Sequence, residues 1–305
     1  MTGGVRRAFL GVAAIAVVAG AVAGWVLTAP ETVQDNSVSA VGGDAERGRT
    51  IFTIGGCVSC HAADDAKGES KLVLSGGRPF VTAFGTFYAP NISPDPDAGI
   101  GAWDVVDFVN AMKHGVSPDG SHYYPAFPYT SYARMKTEDL LDLWAYMRAL
   151  PASGQANRPH AVGFPFSVRR GLGLWKRLYL DPGPVVEVGV DLERGRYLVE
   201  GPGHCGECHT PRSAIGGPDL SHWLAGGPNP DGEGSIPNLT SAGKGIASWS
   251  EADIAEYLKS GFTPDFDTVG GSMVEVVDNT SQLSDEDRRA IARYLKSVPS
   301  ISALE

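Results

Sequence analysis

Hydrophobic and polar positions divide the chain into a long apolar head and two similar stretches in which helical periodicity is broken by glycine and proline. From Ala8 to Ala29 there are 22 consecutive residues without a charge, preceded by Arg6 and Arg7 and followed by Glu31. An uncharged run of about 20 residues is long enough to cross a bilayer as a helix. Arginines ahead of such a run hold the amino end in the cytoplasm, so everything downstream is expected outside. An A-x-A site at Ala21-Val22-Ala23 offers a cleaved export signal as the alternative. The length of the run, and Trp25 near its outer end, favour an anchor within residues 1–29. Residues 30–43 then read as a flexible tether.

Beyond the tether the pattern is helical. Trp103, Val106, Val109, Asn110 and Lys113 keep helical spacing until Gly115; Trp249, Ile254, Tyr257 and Leu258 do so until Gly261. Later helices start from the acids Glu138-Asp139 and Asp285-Glu286-Asp287 and stop before Pro151 and Pro299. No segment alternates as a strand, so the expected fold class is all-α. The halves repeat each other in order. Ala45-Glu46-Arg47-Gly48-Arg49 returns as Leu192-Glu193-Arg194-Gly195-Arg196, and Pro90-Asn91-Ile92-Ser93 returns as Pro237-Asn238-Leu239-Thr240. A tandem duplication follows, with one module at 44–151, a connector at 152–186 and a second module at 187–305. In the connector, a helix over 167–180 would set Leu172, Trp175, Leu178 and Tyr179 on one face, with Arg169, Arg170, Lys176 and Arg177 mostly elsewhere. Such a basic amphipathic helix can rest on anionic lipid or meet an acidic partner; packing between the modules is the commoner role.

With 43% hydrophobic and 20% charged residues, general disorder is excluded. Glycine and proline make up 60 of 305 residues, which predicts long ordered loops. A net charge of −10 argues against nucleic acid as a partner. The charge is uneven: −4 over 41–151, +4 over the connector and −10 over 187–305. Acidic faces of this kind steer basic protein partners, with an attraction that weakens in salt.

The four cysteines settle the chemistry. Cys57-Val58-Ser59-Cys60-His61 returns as Cys205-Gly206-Glu207-Cys208-His209. Cysteines at i and i+3 on a helical turn face the same way and can form two thioethers to a porphyrin, while the adjacent histidine reaches the iron. A zinc ribbon needs its second pair about 15–20 residues on, a dithiol oxidoreductase needs a βαβ setting, and neither is present. Two local disulfides would leave the repeated histidines unexplained. Two covalently bound haem c groups are therefore expected, attached at Cys57, Cys60, Cys205 and Cys208, with His61 and His209 as proximal ligands. For the second iron the opposite ligand is Met273, the only methionine after residue 147. In the first module Phe127 stands close to where that methionine belongs. Met112 and Met147 align with Leu258 and Leu295 and read as core, leaving Met135 at a loop end as the first choice and His122 as the second. Arg212, four residues after Cys208, could pair with a haem propionate. His160 and His222 carry no motif, and no nucleotide-binding glycine motif or hydrolytic triad is present.

The chain resembles the cytochrome c subunits of bacterial membrane-bound alcohol, aldehyde and sugar dehydrogenases. The matching residues are Tyr88-Ala89-Pro90-Asn91-Ile92-Ser93-Pro94-Asp95, Gly99-Ile100-Gly101-Ala102-Trp103, Tyr124-Pro125-Ala126-Phe127-Pro128-Tyr129, Phe164-Pro165-Phe166 and the stretch from Gly203 to Arg212. The likeness runs from about residue 41 to the end. It implies an electron carrier at the bacterial inner membrane, its haem domains periplasmic. Such a carrier takes electrons from a periplasmic dehydrogenase and passes them to a cytochrome, a quinone or a terminal oxidase. Such subunits commonly have three haem modules; this chain has two. Phe127 alone favours a different reading, a peroxidase-like or thiosulfate-oxidising dihaem enzyme with the first haem as its reactive site. A cytochrome fixed within a larger respiratory complex is the third reading.

Overall fold

The computed structural model describes residues 3–33, 38, 42–229, 234–242 and 245–302. The chain opens with helix α1 (Gly3–Leu27). Its Phe9–Leu27 stretch is long and apolar enough to cross a membrane, and none of it is buried by the rest of the protein. A helix apolar all round needs apolar surroundings, which the protein does not supply. Of the expected tether, residues 34–37 and 39–41 lie outside the described residues. Val33, before them, is docked: its N–H and C=O bond the side-chain amide of Asn110 at 2.7 and 3.1 Å.

The first half then runs α2 (Ala45–Ile54), α3 (Cys57–His61), α4 (Val105–His114), α5 (Tyr129–Tyr132) and α6 (Thr137–Met147). After the connector helix α7 (Leu172–Tyr179), the second half repeats this order. Its helices are α8 (Glu193–Glu200), α9 (Gly206–His209), α10 (Glu251–Ser260), α11 (Met273–Thr280) and α12 (Asp285–Ser297). The caps repeat too. Helix α4 starts in an Asp104/Asp107 capping box and ends at Gly115 (φ 58°), and α10 starts in a Ser250/Asp253 box and ends at Gly261 (φ 76°).

First and last helices of each half cross at a glycine. A Cβ on Gly48 would sit 1.9 Å from the Asp142 carbonyl oxygen, and one on Gly195 would sit 2.0 Å from that of Ala290. Beside each glycine an arginine clamps the crossing: Arg47 Nε lies 2.7 Å from Asp142, and Arg194 Nε lies 2.7 Å from Asp287. The duplicated Glu-Arg-Gly-Arg thus encodes one helix crossing twice. The Pro-Asn repeat encodes a second fastening. Asn91 Nδ2 donates to Ser153 O at 2.7 Å and Asn238 Nδ2 to Ile301 O at 2.7 Å, tying each loop to the segment after its last helix.

Two apolar cores result. One gathers Ile51, Phe52, Leu74, Phe108 and Leu140; the other gathers Leu198, Val199, Leu224, Ile254 and Tyr294. Ile54, from the first half, is built into the second core.

Two details depart from expectation, while the modules remain mainly helical. Short antiparallel hairpins interrupt the helices, β1 (Pro79–Thr82) with β2 (Gly85–Tyr88) and β3 (Gly227–Pro228) with β4 (Ser235–Ile236). Strands of two to four residues are too short to leave an alternating pattern in sequence. In the connector, Trp175 and Lys176 are buried, whereas Leu178 faces outward. Trp175 Nε1 donates to Ile215 O at 2.9 Å, and Lys176 Nζ donates to Gly115 O at 2.8 Å, so α7 is wedged between the halves.

Candidate functional site

Helix α3 carries the first Cys-x-x-Cys-His motif on a single helical turn, and Cys205 opens the turn of α9 with helical backbone angles. The residue ahead of each first cysteine is left-handed, Gly56 at φ 58° and His204 at φ 38°. Glycine takes that conformation freely; a histidine needs help. His204 has it from the Tyr132 ring, edge-on at 5.7 Å, and from the Gly55 carbonyl 3.3 Å from its Nε2.

The cysteines are not paired in disulfides. Burial pushes Cys57 and Cys205 up to about 12. A dithiol catalyst requires the reverse, a lowered thiol. Among the described residues, no group of three or more His, Cys, Asp and Glu side chains could hold a metal ion. Both motif histidines are oriented identically: His61 Nδ1–H donates to Pro90 O at 2.8 Å and His209 Nδ1–H to Pro237 O at 2.8 Å. The carbonyl fixes the tautomer and leaves Nε2 as the free donor atom for a metal. Burial lowers the pKa of each ring against the opposing pull of that bond, which favours the neutral form. Two facing thiols followed by a neutral, aimed imidazole fit a covalent haem twice over.

Met135 is fully enclosed, within the first core against which Cys57, Val58 and Phe127 pack. Met273 is half-buried at the first position of α11, whose fully buried residues are Val277, Asn279 and Thr280. His122 is occupied on both ring nitrogens, at 2.9 Å from Thr28 O and 3.0 Å from Lys176 Nζ, which removes it as a ligand candidate. Arg212 is likewise committed elsewhere. Its guanidinium bonds the Glu207 carboxylate at 2.5 Å and the carbonyls of Glu207 and Gly216 at 2.9 Å, so its place beside a propionate is not supported.

Glu207, the third residue of the second motif, reaches across the boundary. Its carboxylate accepts from Thr130 Oγ1 at 2.8 Å and Ser131 Oγ at 2.7 Å on α5. Burial raises its pKa, but Arg212 and the two hydroxyls outweigh that and hold it below the ordinary value. The reciprocal contact exists. Ser59, third in the first motif, accepts from Asn279 Nδ2 of α11 at 3.0 Å, and Arg78 beside it pairs with Glu275 of α11 at 3.0 Å. Each attachment turn is braced by the helix that follows the other half's distal loop. Sequence reading missed these contacts, because only Glu207, an acid inside a haem motif, was out of the ordinary.

The profile of the Cytochrome c family matches residues 45–151 and again 192–299, and the chain belongs to that family. It carries two covalently bound haem c groups and transfers electrons. Across 97% of its length it is 56% identical to a diheme cytochrome c-type protein of Cereibacter sphaeroides, covering 99% of that relative. It is 38% identical to the cytochrome c subunit of alcohol dehydrogenase (quinone) from Gluconacetobacter polyoxogenes, over 84% of this chain and 56% of that one. It is also 38% identical to the fructose dehydrogenase cytochrome subunit of Gluconobacter japonicus, over 83% and 52%. The chain thus spans about half the length of these dehydrogenase subunits.

Proposed function

We propose that the chain is a membrane-anchored dihaem carrier that accepts electrons from a periplasmic dehydrogenase and delivers them to a respiratory cytochrome, quinone or terminal oxidase. Residues 8–29 anchor it in the bacterial inner membrane, two all-α class I cytochrome modules at 44–151 and 187–305 lie on the periplasmic side, and 152–186 connects them. Cys57 and Cys60 hold one haem, Cys205 and Cys208 the other. His61 with Met135 and His209 with Met273 are the axial pairs. When bound, each haem supplies a one-electron Fe(III)/Fe(II) couple; the chain supplies ligands, exclusion of water and docking surfaces.

The observation that carries this reading is the repeated 2.8 Å bond from histidine Nδ1 to a proline carbonyl, which readies two identical imidazoles in one chain. Mild detergent extraction of native membranes tests it. A dehydrogenase should co-purify, and its substrate should reduce both haems. Peroxide or thiosulfate turnover by the isolated protein, with no dehydrogenase partner, would overturn it in favour of an enzyme.

A further inference from the structure

The carboxyl end of α1 is gripped by the connector. Arg170 Nη2 donates to Trp25 O at 2.7 Å, its Nε donates to Thr28 Oγ1 at 3.0 Å, and its guanidinium lies 4.1 Å from the centre of the Trp25 ring. Arg177 Nε donates to Leu27 O at 2.7 Å. Cations on the last carbonyls of a helix satisfy both its unpaired acceptors and its dipole. Gly173 completes the grip, since a Cβ there would come 2.5 Å from Thr28 O.

At 100° per residue, positions 173 and 177 lie on one side of α7, and positions 174 and 178 continue the same arc. Leu174 is 49% exposed and Leu178 70% exposed, although the opposite arc, Trp175 and Lys176, is buried. Just upstream, Phe164 is 85% exposed and Val168 54%. This stretch is tied to the same place: Arg169 Nε donates to His122 O at 2.8 Å, and His122 Nε2 donates to Thr28 O. Large apolar side chains therefore surround the exit of an apolar helix, on the connector, whose net charge is +4. Water is a poor match for that surface; the headgroup and acyl boundary of a bilayer matches both its apolar and its basic parts.

We infer that α7 and the 164–168 segment lie flat on the outer leaflet of the membrane that α1 crosses, with Leu174, Leu178 and Phe164 entering the acyl boundary. The inference rests on the anchor reading. Its occupant is a bilayer containing anionic phospholipid, and its effect is to fix how the two cytochrome modules stand on the membrane.

Thiol accessibility tests it, because the four native cysteines are consumed as thioethers and an introduced cysteine is the only reactive thiol. Val17→Cys, Leu178→Cys and Glu251→Cys are made separately in the full, haem-loaded chain. Each is placed in discs of phosphatidylcholine with phosphatidylglycerol and treated with a charged, membrane-impermeant maleimide. The expected result is slow labelling at 17 and at 178, each about tenfold or more below the water-facing position 251. Slow labelling at 17 with fast labelling at 178 overturns the docking surface and leaves the anchor standing. Fast labelling at 17 overturns both.

Discussion

The carbonyl oxygens of Pro90 and Pro237 decide which nitrogen of His61 and of His209 is free, and the proposed axial pairs, with Met135 and Met273 opposite, build on that choice. Met273→His replaces a thioether with a stronger donor. The second haem's potential should fall by a sizeable fraction of the roughly 0.8 V span that axial ligands command, with the first haem's nearly unchanged, as read by redox titration. Met135→Ala should open the first haem to carbon monoxide, seen as a shifted Soret band, while the second stays closed. A first haem that binds carbon monoxide in the unaltered protein would remove Met135 as its ligand. The two Cys-x-x-Cys-His turns were legible in sequence because the motif is local and the duplication displays it twice. The bond from Arg212 to Glu207 was not legible, because Glu207 is held by α5 of the other half, which no local pattern reveals. Lys176 was read only as a surface charge. Burial, aided by the nearby Arg169, lowers it to about 7, against the opposing pull of Glu31. Above that pH the folded chain gives up a proton that the unfolded lysine keeps until near its ordinary 10.5, so the unfolded state binds more protons and stability rises. The neighbouring His114 and His122, also lowered mainly by burial, act in the same sense below their ordinary 6.5. The unfolding midpoint of the detergent-solubilised chain should climb between pH 7 and 9, and Lys176→Met should flatten that climb.

At the scale of elements, the sequence located helices well where capping and periodicity coincide. Helices α4 and α10 begin in capping boxes and stop at the glycines that their spacing marks. The hairpins escaped because strands of two to four residues are too short to show a period. The facing of α7 escaped for another reason: amphipathicity names an apolar face but not what covers it, and this helix has protein on one side and an exposed apolar arc on the other. The cross-boundary contacts of α5 and α11 give the sharpest test at this scale. Glu207→Ala leaves Thr130, Ser131 and Arg212 without their common acceptor. It should cost about 2–4 kcal/mol, the usual penalty for orphaning buried polar and charged partners. Denaturant unfolding followed by far-ultraviolet circular dichroism measures it. Glu207→Gln, which keeps an acceptor for the hydroxyls, should recover part of the loss.

For the whole molecule, the two halves are one body. Ile54 belongs to the second core, His204 leans on Tyr132 and Gly55, and α5 and α11 exchange contacts with the opposite attachment turns. The duplication was plain in sequence; the mutual bracing was not, since similar halves can equally be strung on a linker. Bracing has a kinetic consequence. Carriers whose domains swing must wait for diffusion, and thickening the solvent slows them. Here the spacing between the two redox centres is set by packed side chains, so passage of an electron from one to the other has no swing to wait for. After flash reduction of one centre, equilibration with the second should proceed at the same rate in buffer and in concentrated sucrose. A rate that fell in step with viscosity would mean that the halves part before the electron moves.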